Sequence, residues 1–320
     1  MKNNKNFFDK MADSLFSSTQ QLQRIVILTG VVLILVIVSF AGYYYYDRFY
    51  QGQPKIVEKS ITQAEQAIRD DQNNPDLRLN LAEMYMTSTM YDKAIEQITY
   101  VMINYPENQR AWFLSGVVNT LNKNYAEAIS PLEKYMEAHK DDPIPGLDKT
   151  LQSAAYYLGV SYLGLGQPDL AIVPLEKAVD WSKTDSDAMY QLGLAYLRVN
   201  KYKESVSMFQ KAVLFVPNFT EAYQGMQAAF DAINETDYSN YAQGMIAYSQ
   251  KDYTKAIEYL QKAALAKPEY TPVFDGLGLT YEGMGDLKNA QTSYEMAVKL
   301  DPSDFTATTG LDRVKTLLNK

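Results

Sequence analysis

Two hydrophobic patterns divide the chain. From Ile25 to Tyr46 apolar residues run without an ionisable charge, IVILTGVVLILVIVSFAGYYYY, and only Thr29, Ser39 and the tyrosine hydroxyls are polar. From about Ile56 onward apolar residues recur at spacings of three and four, the signature of amphipathic helices. Leu192, Gly193 and Tyr196 share one helix face in this way. The same small residue followed by a tyrosine returns in YYLGVSYLGLGQ (156–167), in YQLGLAY around Gly193 and in FDGLGLTY around Gly278.

Aligned on the small residue, the copies centre on Ala82, Gly116, Gly159, Gly193, Gly244 and Gly278, at intervals of 34, 43, 34, 51 and 34 residues. The underlying period is 34. One copy carries Leu192, Gly193 and Tyr196 on its first helix, then Tyr202, Phe209, Ala212 and Pro217 on and after its second. The last full copy repeats this as Leu277, Gly278, Tyr281, Gly285, Ala290, Tyr294, Ala297 and Pro302, and the first as Leu81, Ala82, Tyr85, Tyr91, Ala94, Ile98 and Pro106. In period and residues the chain resembles the tetratricopeptide-repeat (TPR) family from about Ile56 to the end. The fold expected is all-α, a TPR-type α-solenoid of antiparallel helix pairs preceded by a single transmembrane helix.

Each repeated residue has a mechanical reason. A glycine inside a helix costs ~1 kcal/mol against alanine, so its recurrence implies a close approach by the partner helix. The alanines at 94, 128, 171, 256 and 290 serve the facing side, and the prolines after the second helices end them. Gly159, Gly164 and Gly166 therefore read as an interhelical contact and a turn. A phosphate loop would need a preceding strand and a following lysine.

The two long intervals mark departures. The extra nine residues fall in HKDDPIPGLDK, 139–149, a lengthened loop within the four copies of 75–219. The interval of 51 adds one helix, TEAYQGMQAAFDAI, placing an odd helix and a break at 220–236 before two further copies at 237–304. Its polar stretch at 233–240 is the expected site of local opening. Residues 47–74 form a linker and capping helix, and 305–320 a second capping helix, because the ends of an open solenoid need covers.

The uncharged run 25–46 is long enough to span roughly 30 Å of hydrocarbon, with Tyr43 to Tyr46 at the water boundary. A 24-residue tail precedes it. The competing reading is a cleaved leader, since Ser39, Phe40 and Ala41 supply small residues for cleavage; the long tail and long apolar run favour an anchor. Three basic residues flank each side (Lys5, Lys10, Arg24; Arg48, Lys55, Lys59), so charge counting does not fix the orientation. An early span before one long soluble region points to a single-pass protein of a bacterial-type plasma membrane, amino terminus cytoplasmic and residues 47–320 exported.

Residues 1–46 carry a net +2 and the remainder −10, with the charges mixed. That balance argues against nucleic acid, which attracts clustered lysine and arginine. The chain has no cysteine, which removes disulfides, thiolate metal sites and cysteine nucleophiles. Its one histidine, His139, stands near Asp141 and Asp142, but adjacent carboxylates on a proline-rich loop read as solvated. No cofactor, no metal and no catalytic constellation is expected.

The resemblance implies an interaction protein that presents the inner faces of its first helices to a peptide or protein. Counting from each small residue, those faces carry Leu79, Glu83 and Met86; Phe113, Val117 and Thr120; Tyr156, Val160 and Leu163; and Tyr190, Leu194 and Leu197. The candidate groove is its apolar part: Leu79, Phe113, Val117, Tyr156, Val160, Leu163, Tyr190, Leu194 and Leu197. A family subclass clamps carboxyl-terminal peptides with lysine and asparagine; the matching positions here are Leu79, Glu83, Leu114, Ser153 and Tyr157, so that clamp is absent. The reading is a membrane-anchored scaffold or assembly factor, the alternative a chaperone-like holder of unfolded clients. Oligomeric state is left open.

The topology is directly testable. A single cysteine introduced at position 300 is expected to react with a membrane-impermeant reagent on intact cells. Labelling only after permeabilisation would reverse the orientation, and a mature chain beginning at Gly42 would remove the anchor.

Overall fold

The computed structural model describes residue 30, residues 33–43 and residues 52–320. Among these residues all regular structure is α-helical, apart from one 3₁₀ turn at Pro145–Leu147. Residues 33–43 are helical with Leu33, Val36 and Phe40 exposed. No helix among the described residues is long and apolar enough to cross a membrane. The rest of the expected span, 25–29, 31–32 and 44–46, lies outside the described residues.

The described residues divide into two compact units, one up to Ser88 and the other from Thr89 to Lys320. In the first, α1 (Gly52–Asp70) packs on α2 (Pro75–Thr87). Asn74 caps α2, its Oδ1 accepting from the amides of Asp76 and Leu77 at 3.0 and 3.2 Å, which satisfies two otherwise orphaned donors. Ile61, Ile68 and Tyr85 are buried, and the Tyr85 hydroxyl donates to Glu65 at 2.7 Å.

The second unit continues as α3 (Tyr91–Asn104), α4 (Gln109–Leu121), α5 (Tyr125–Ala138), α6 (Lys149–Gly164), α7 (Pro168–Trp181) and α8 (Ser186–Arg198). It then runs through α9 (Tyr202–Phe215), α10 (Thr220–Ala232), α11 (Thr236–Ser249), α12 (Tyr253–Ala266), α13 (Thr271–Met284), α14 (Leu287–Leu300) and α15 (Phe305–Leu318). Within this unit, from α3 to α15, helices consecutive in sequence pack on one another. Prolines 106, 217, 268 and 302 follow the ends of α3, α9, α12 and α14.

One turn geometry recurs. Lys123, Gly166, Asn200, Asn234, Lys251 and Gly285 all have positive φ, between 59° and 79°. At each, the amide one residue further on bonds back to a carbonyl five residues earlier at 2.8–2.9 Å, as in Lys201 to Tyr196, Glu235 to Phe230 and Asp252 to Ala247. This closing bond satisfies a free helix-end carbonyl and needs one left-handed residue. The turn follows a first helix and leads into its second, yet it occurs both after α10 and after α11. Helix α11 is therefore the second helix of α10 and the first helix of α12.

The extra helix at 220–236 thus changes the row of the array. Inner helices touch in the order α4, α6, α8, α10, and beyond that point the row passes through α11, α13 and α15. Buried side chains run through the change: Ala222, Tyr223, Met226, Phe230, Tyr241, Ala242 and Met245 belong to one core with Phe209 and Leu260. At the start of the long loop, His139 donates through Nδ1–H to the Tyr135 carbonyl at 2.8 Å, and its ring lies 4.3 Å from the Tyr135 ring, centre to centre. Asp142 accepts from the Ile144 amide at 2.8 Å. Both side chains serve the loop's own backbone.

The recurring glycines sit where two helices come closest. A Cβ placed at Gly116 or Gly159 would strike the side chain of Leu132 or Leu175, and one at Gly244 would lie 2.6 Å from Leu260. At Gly193 it would lie 2.6 Å from the Phe209 ring, and at Gly278 it would lie 2.5 Å from the Tyr294 ring. Ser205 ties the same approach together by donating to the Gly193 carbonyl at 2.8 Å.

Replacing Gly193 with alanine is expected to lower stability by about 1–3 kcal/mol, the range for overpacking a filled core. Urea denaturation followed by circular dichroism measures this. An unchanged midpoint would refute the close approach.

Candidate functional site

The inner-face residues read from the sequence fall into two groups. Leu79 on α2, Val117 on α4 and Leu163 on α6 are buried. They are core side chains, a correction to their place in an open groove: Val117 and Leu163 stand on helices that also meet the neighbouring inner helix, α4 with α6 and α6 with α8, and Leu79 on α2 is fully buried. Phe113, Tyr156, Val160, Tyr190, Leu194 and Leu197 are half-buried. Tyr190 lies 4.9 Å from the Phe219 ring and 5.9 Å from Phe209, and Phe113 lies 5.5 Å from Tyr135, ring centre to ring centre. These aromatic rings have one side in the core and keep another toward the inner surface. Burial, then Asp187, pushes the Tyr156 hydroxyl up to about 12, so it is neutral at physiological pH.

A second site lies further along, where the row changes. A cavity of about 410 Å³ opens between the end of α9, α10, α11, α13 and the start of α15. The shift by one helix creates it. It sets the end of α9 against the start of α13, so that Gln210 Nε2 donates to the Tyr270 hydroxyl at 2.9 Å. Gly276 lets α13 approach α11 closely, since a Cβ there would lie 2.7 Å from the Met245 sulfur. Val213, Leu214 and Leu279 supply apolar wall.

Tyrosine rings dominate the rest of the lining. Tyr241 meets Tyr223 and Tyr270 edge-on, with ring centres 6.2 and 5.3 Å apart. The Tyr223 hydroxyl donates to the Pro217 carbonyl at 3.2 Å. Burial raises all three hydroxyls above their ordinary range, so the rings line the cavity as neutral phenols.

Into this lining α13 sets an aspartate. Asp275 is 8% exposed, and its Oδ1 has no hydrogen-bond partner. Asp304 lies within hydrogen-bonding reach of it while also capping α15, accepting from the Ala307 amide at 3.0 Å. Burial first, then Asp304 and Asp301, pushes Asp275 up to about 8. A carboxyl buried beside another carboxylate ionises only at a cost, which holds the proton on Asp275 above the ordinary carboxylate range.

None of these cavity residues was among the sequence-derived candidates. The counting rule that gave Tyr156 and Tyr190 as three before a glycine also gives Tyr241 before Gly244 and Asp275 before Gly278, and only needed carrying to the last two copies. Asp304 had no such signal, since its place depends on where α15 docks.

A stability test follows from the raised carboxyl. The folded chain keeps a proton on Asp275 up to about pH 8, whereas the unfolded chain releases it near the ordinary value of 3.8. Between those limits the native state binds more protons, so this group's contribution to stability falls as pH rises. Asp275→Asn is expected to remove that slope. It should leave stability near pH 4 little changed and raise it at pH 8 by about 1–3 kcal/mol, the scale of an unsatisfied buried polar group. Thermal melts of both proteins across that range check the sign; a variant destabilised at pH 8 would refute it.

Comparison with known proteins places this geometry in a family. Tetratricopeptide-repeat family models match residues 85–143 and, separately, residues 186–218, 238–270 and 272–304. The last three are the pairs α8–α9, α11–α12 and α13–α14, and α10 falls in the gap between the first two. No curated protein sequence matches. Among solved structures the chain is similar to YrrB, described as a TPR protein with an unusual peptide-binding site: 20% identity, TM-score 0.46, covering 66% of this chain and 95% of that one. It is also similar to a tetratricopeptide repeat protein from Parabacteroides merdae, at 13% identity, TM-score 0.46, and coverage of 85% and 95%. A third is the C-terminal part of a TPR repeat-containing protein from Cytophaga hutchinsonii, at 21% identity, TM-score 0.46, and coverage of 84% and 99%. At these identities the likeness is one of fold. The matched segments themselves are tetratricopeptide repeats, and the described helices are arranged as a TPR-type α-solenoid.

Proposed function

We propose that this protein is a membrane-tethered interaction scaffold that holds a peptide or protein segment along the inner helices of its second unit. The observation that carries the reading is the set of half-buried side chains on consecutive inner helices: Phe113 on α4, Tyr156 and Val160 on α6, Tyr190, Leu194 and Leu197 on α8. Aromatic side chains anchored in a core and open on one side supply much of the affinity at protein interfaces. A segment crossing successive inner helices meets one such anchor per repeat, the mode in which helical arrays bind extended chains.

The tether rests on the sequence. The uncharged run 25–46 is long enough to span a bilayer, and it precedes the helical units directly. An anchored array holds its partner close to the membrane surface and raises the local concentration of anything assembled there. The fold itself supplies surfaces that recognise and position.

Photocrosslinking tests the binding face in the intact membrane. Benzoylphenylalanine placed at Val160 or Leu194 is expected to capture a defined partner. The same group at the exposed Lys177 of α7 is expected not to. Equal capture from Lys177 would place recognition elsewhere.

A further inference from the structure

The cavity at the row change has a chemistry that the half-buried stripe on α4 to α8 lacks. It joins a tyrosine-lined wall to a buried carboxyl group whose Oδ1 has no hydrogen-bond partner. Every charged neighbour acting on Asp275 is itself acidic, Asp304 and Asp301, and Oδ1 receives no hydrogen bond. Buried polar groups in folded proteins are nearly always paired, so an orphaned one at a cavity wall calls for an explanation outside the chain. Leaving it unmet is unfavourable in the free protein.

A cation meets each of these conditions. It brings donors to Oδ1, and it lets both carboxylates ionise by supplying the compensating charge. The phenol rings of Tyr223, Tyr241 and Tyr270 offer an electron-rich surround of the kind that holds ammonium and guanidinium groups. The apolar wall of Val213, Leu214 and Leu279 suits the methylene stem of a long basic side chain. A simple anion or a purely apolar group would leave Asp275 as it stands.

We propose that this cavity receives a lysine or arginine side chain of a bound polypeptide, with Asp275 and Asp304 taking the charge and the three tyrosines enclosing the stem. The acidic second unit favours a basic partner at long range as well, because residues 89–320 carry a net −8. The proposal rests on the scaffold reading and adds to it a specificity: at the α11–α13 step the partner presents a positive charge.

The full chain, purified in detergent, is titrated with a fluorescein-labelled nonapeptide, Ser-Gly-Ala-Leu-Lys-Leu-Ala-Gly-Ser, and binding is read by anisotropy. Replacing lysine with norleucine is expected to weaken binding about tenfold or more, whereas arginine retains it. Asp275→Asn is expected to cause the same loss. Asp304→Asn provides a second variant, since asparagine still caps α15; it is expected to weaken the lysine peptide and leave the norleucine peptide unaffected. Circular dichroism and thermal melting confirm that both variants are folded. Equal binding of lysine and norleucine peptides, no binding by the wild-type chain, or full binding by both variants would overturn the proposal. Displacement of the peptide by spermidine at equal or lower concentration would reassign the site to a free polyamine and overturn the polypeptide source. Capture from Val160 and Leu194 reports on the scaffold separately, so failure at this cavity leaves that reading standing.

Discussion

The array depends on one contact, repeated: a glycine on a first helix facing a large side chain sixteen residues later on the second. The pairs are Gly116 with Leu132, Gly159 with Leu175, Gly193 with Phe209, Gly244 with Leu260 and Gly278 with Tyr294. In each, the missing Cβ lets the large side chain reach the backbone of its partner helix. The large residue is buried in every case. It also faces the following first helix where a second glycine awaits it, as Phe209 meets Gly225, Leu260 meets Gly276 and Tyr294 meets Gly310. One side chain thus wedges between two glycine-bearing helices and sets the spacing on both sides. Dense interiors tolerate little change in such spacing, so the same contact that closes a pair also fixes how the next one stacks.

This arrangement explains how an added helix can be absorbed. Gly225 on α10 accepts Phe209 as a first helix would, and the left-handed turn at Asn234 then delivers α11. Helix α11 offers Gly244 to Leu260 and begins a new pair. To do both it must bury more than one face, and Ser239, Tyr241, Ala242, Gly244, Met245 and Ala247 are all buried. The row of inner helices moves over by one, and the end of α9 comes to face the start of α13. The cavity with its tyrosines is the geometric consequence of that move.

Much of this was legible in the chain. The period of 34 and the glycines that mark it gave the helix pairs, and the half-repeat interval gave α10. The double role of α11 was not legible, because glycine alignment sees one face of a helix at a time. The burial of Val117 and Leu163 was hidden for a related reason: α4 and α6 each also touch the next inner helix, and spacing does not separate the two roles. Asp275 was hardest. An aspartate three residues before a glycine reads as solvated, and what buries it, the α9 end and the docked α15, lies 60 or fewer residues away in sequence but is set only by the finished packing.

The last helix shows how far these levels are joined. α15 packs on α14 by placing Gly310 against Tyr294, and Leu311 and Val314 are buried with it. Arg313 reinforces that docking by pairing with Glu282, which also accepts from the Tyr294 hydroxyl at 3.0 Å. The helix must begin at a residue able to cap it, and Asp304 does so through the Ala307 amide. The capping carboxylate then stands beside Asp275 because Gly310 fixes the height at which α15 sits. The helix that packs on Tyr294 therefore also sets the charge at the wall of the cavity. Moving or removing that helix changes the chemistry of the site as directly as changing Asp275 itself.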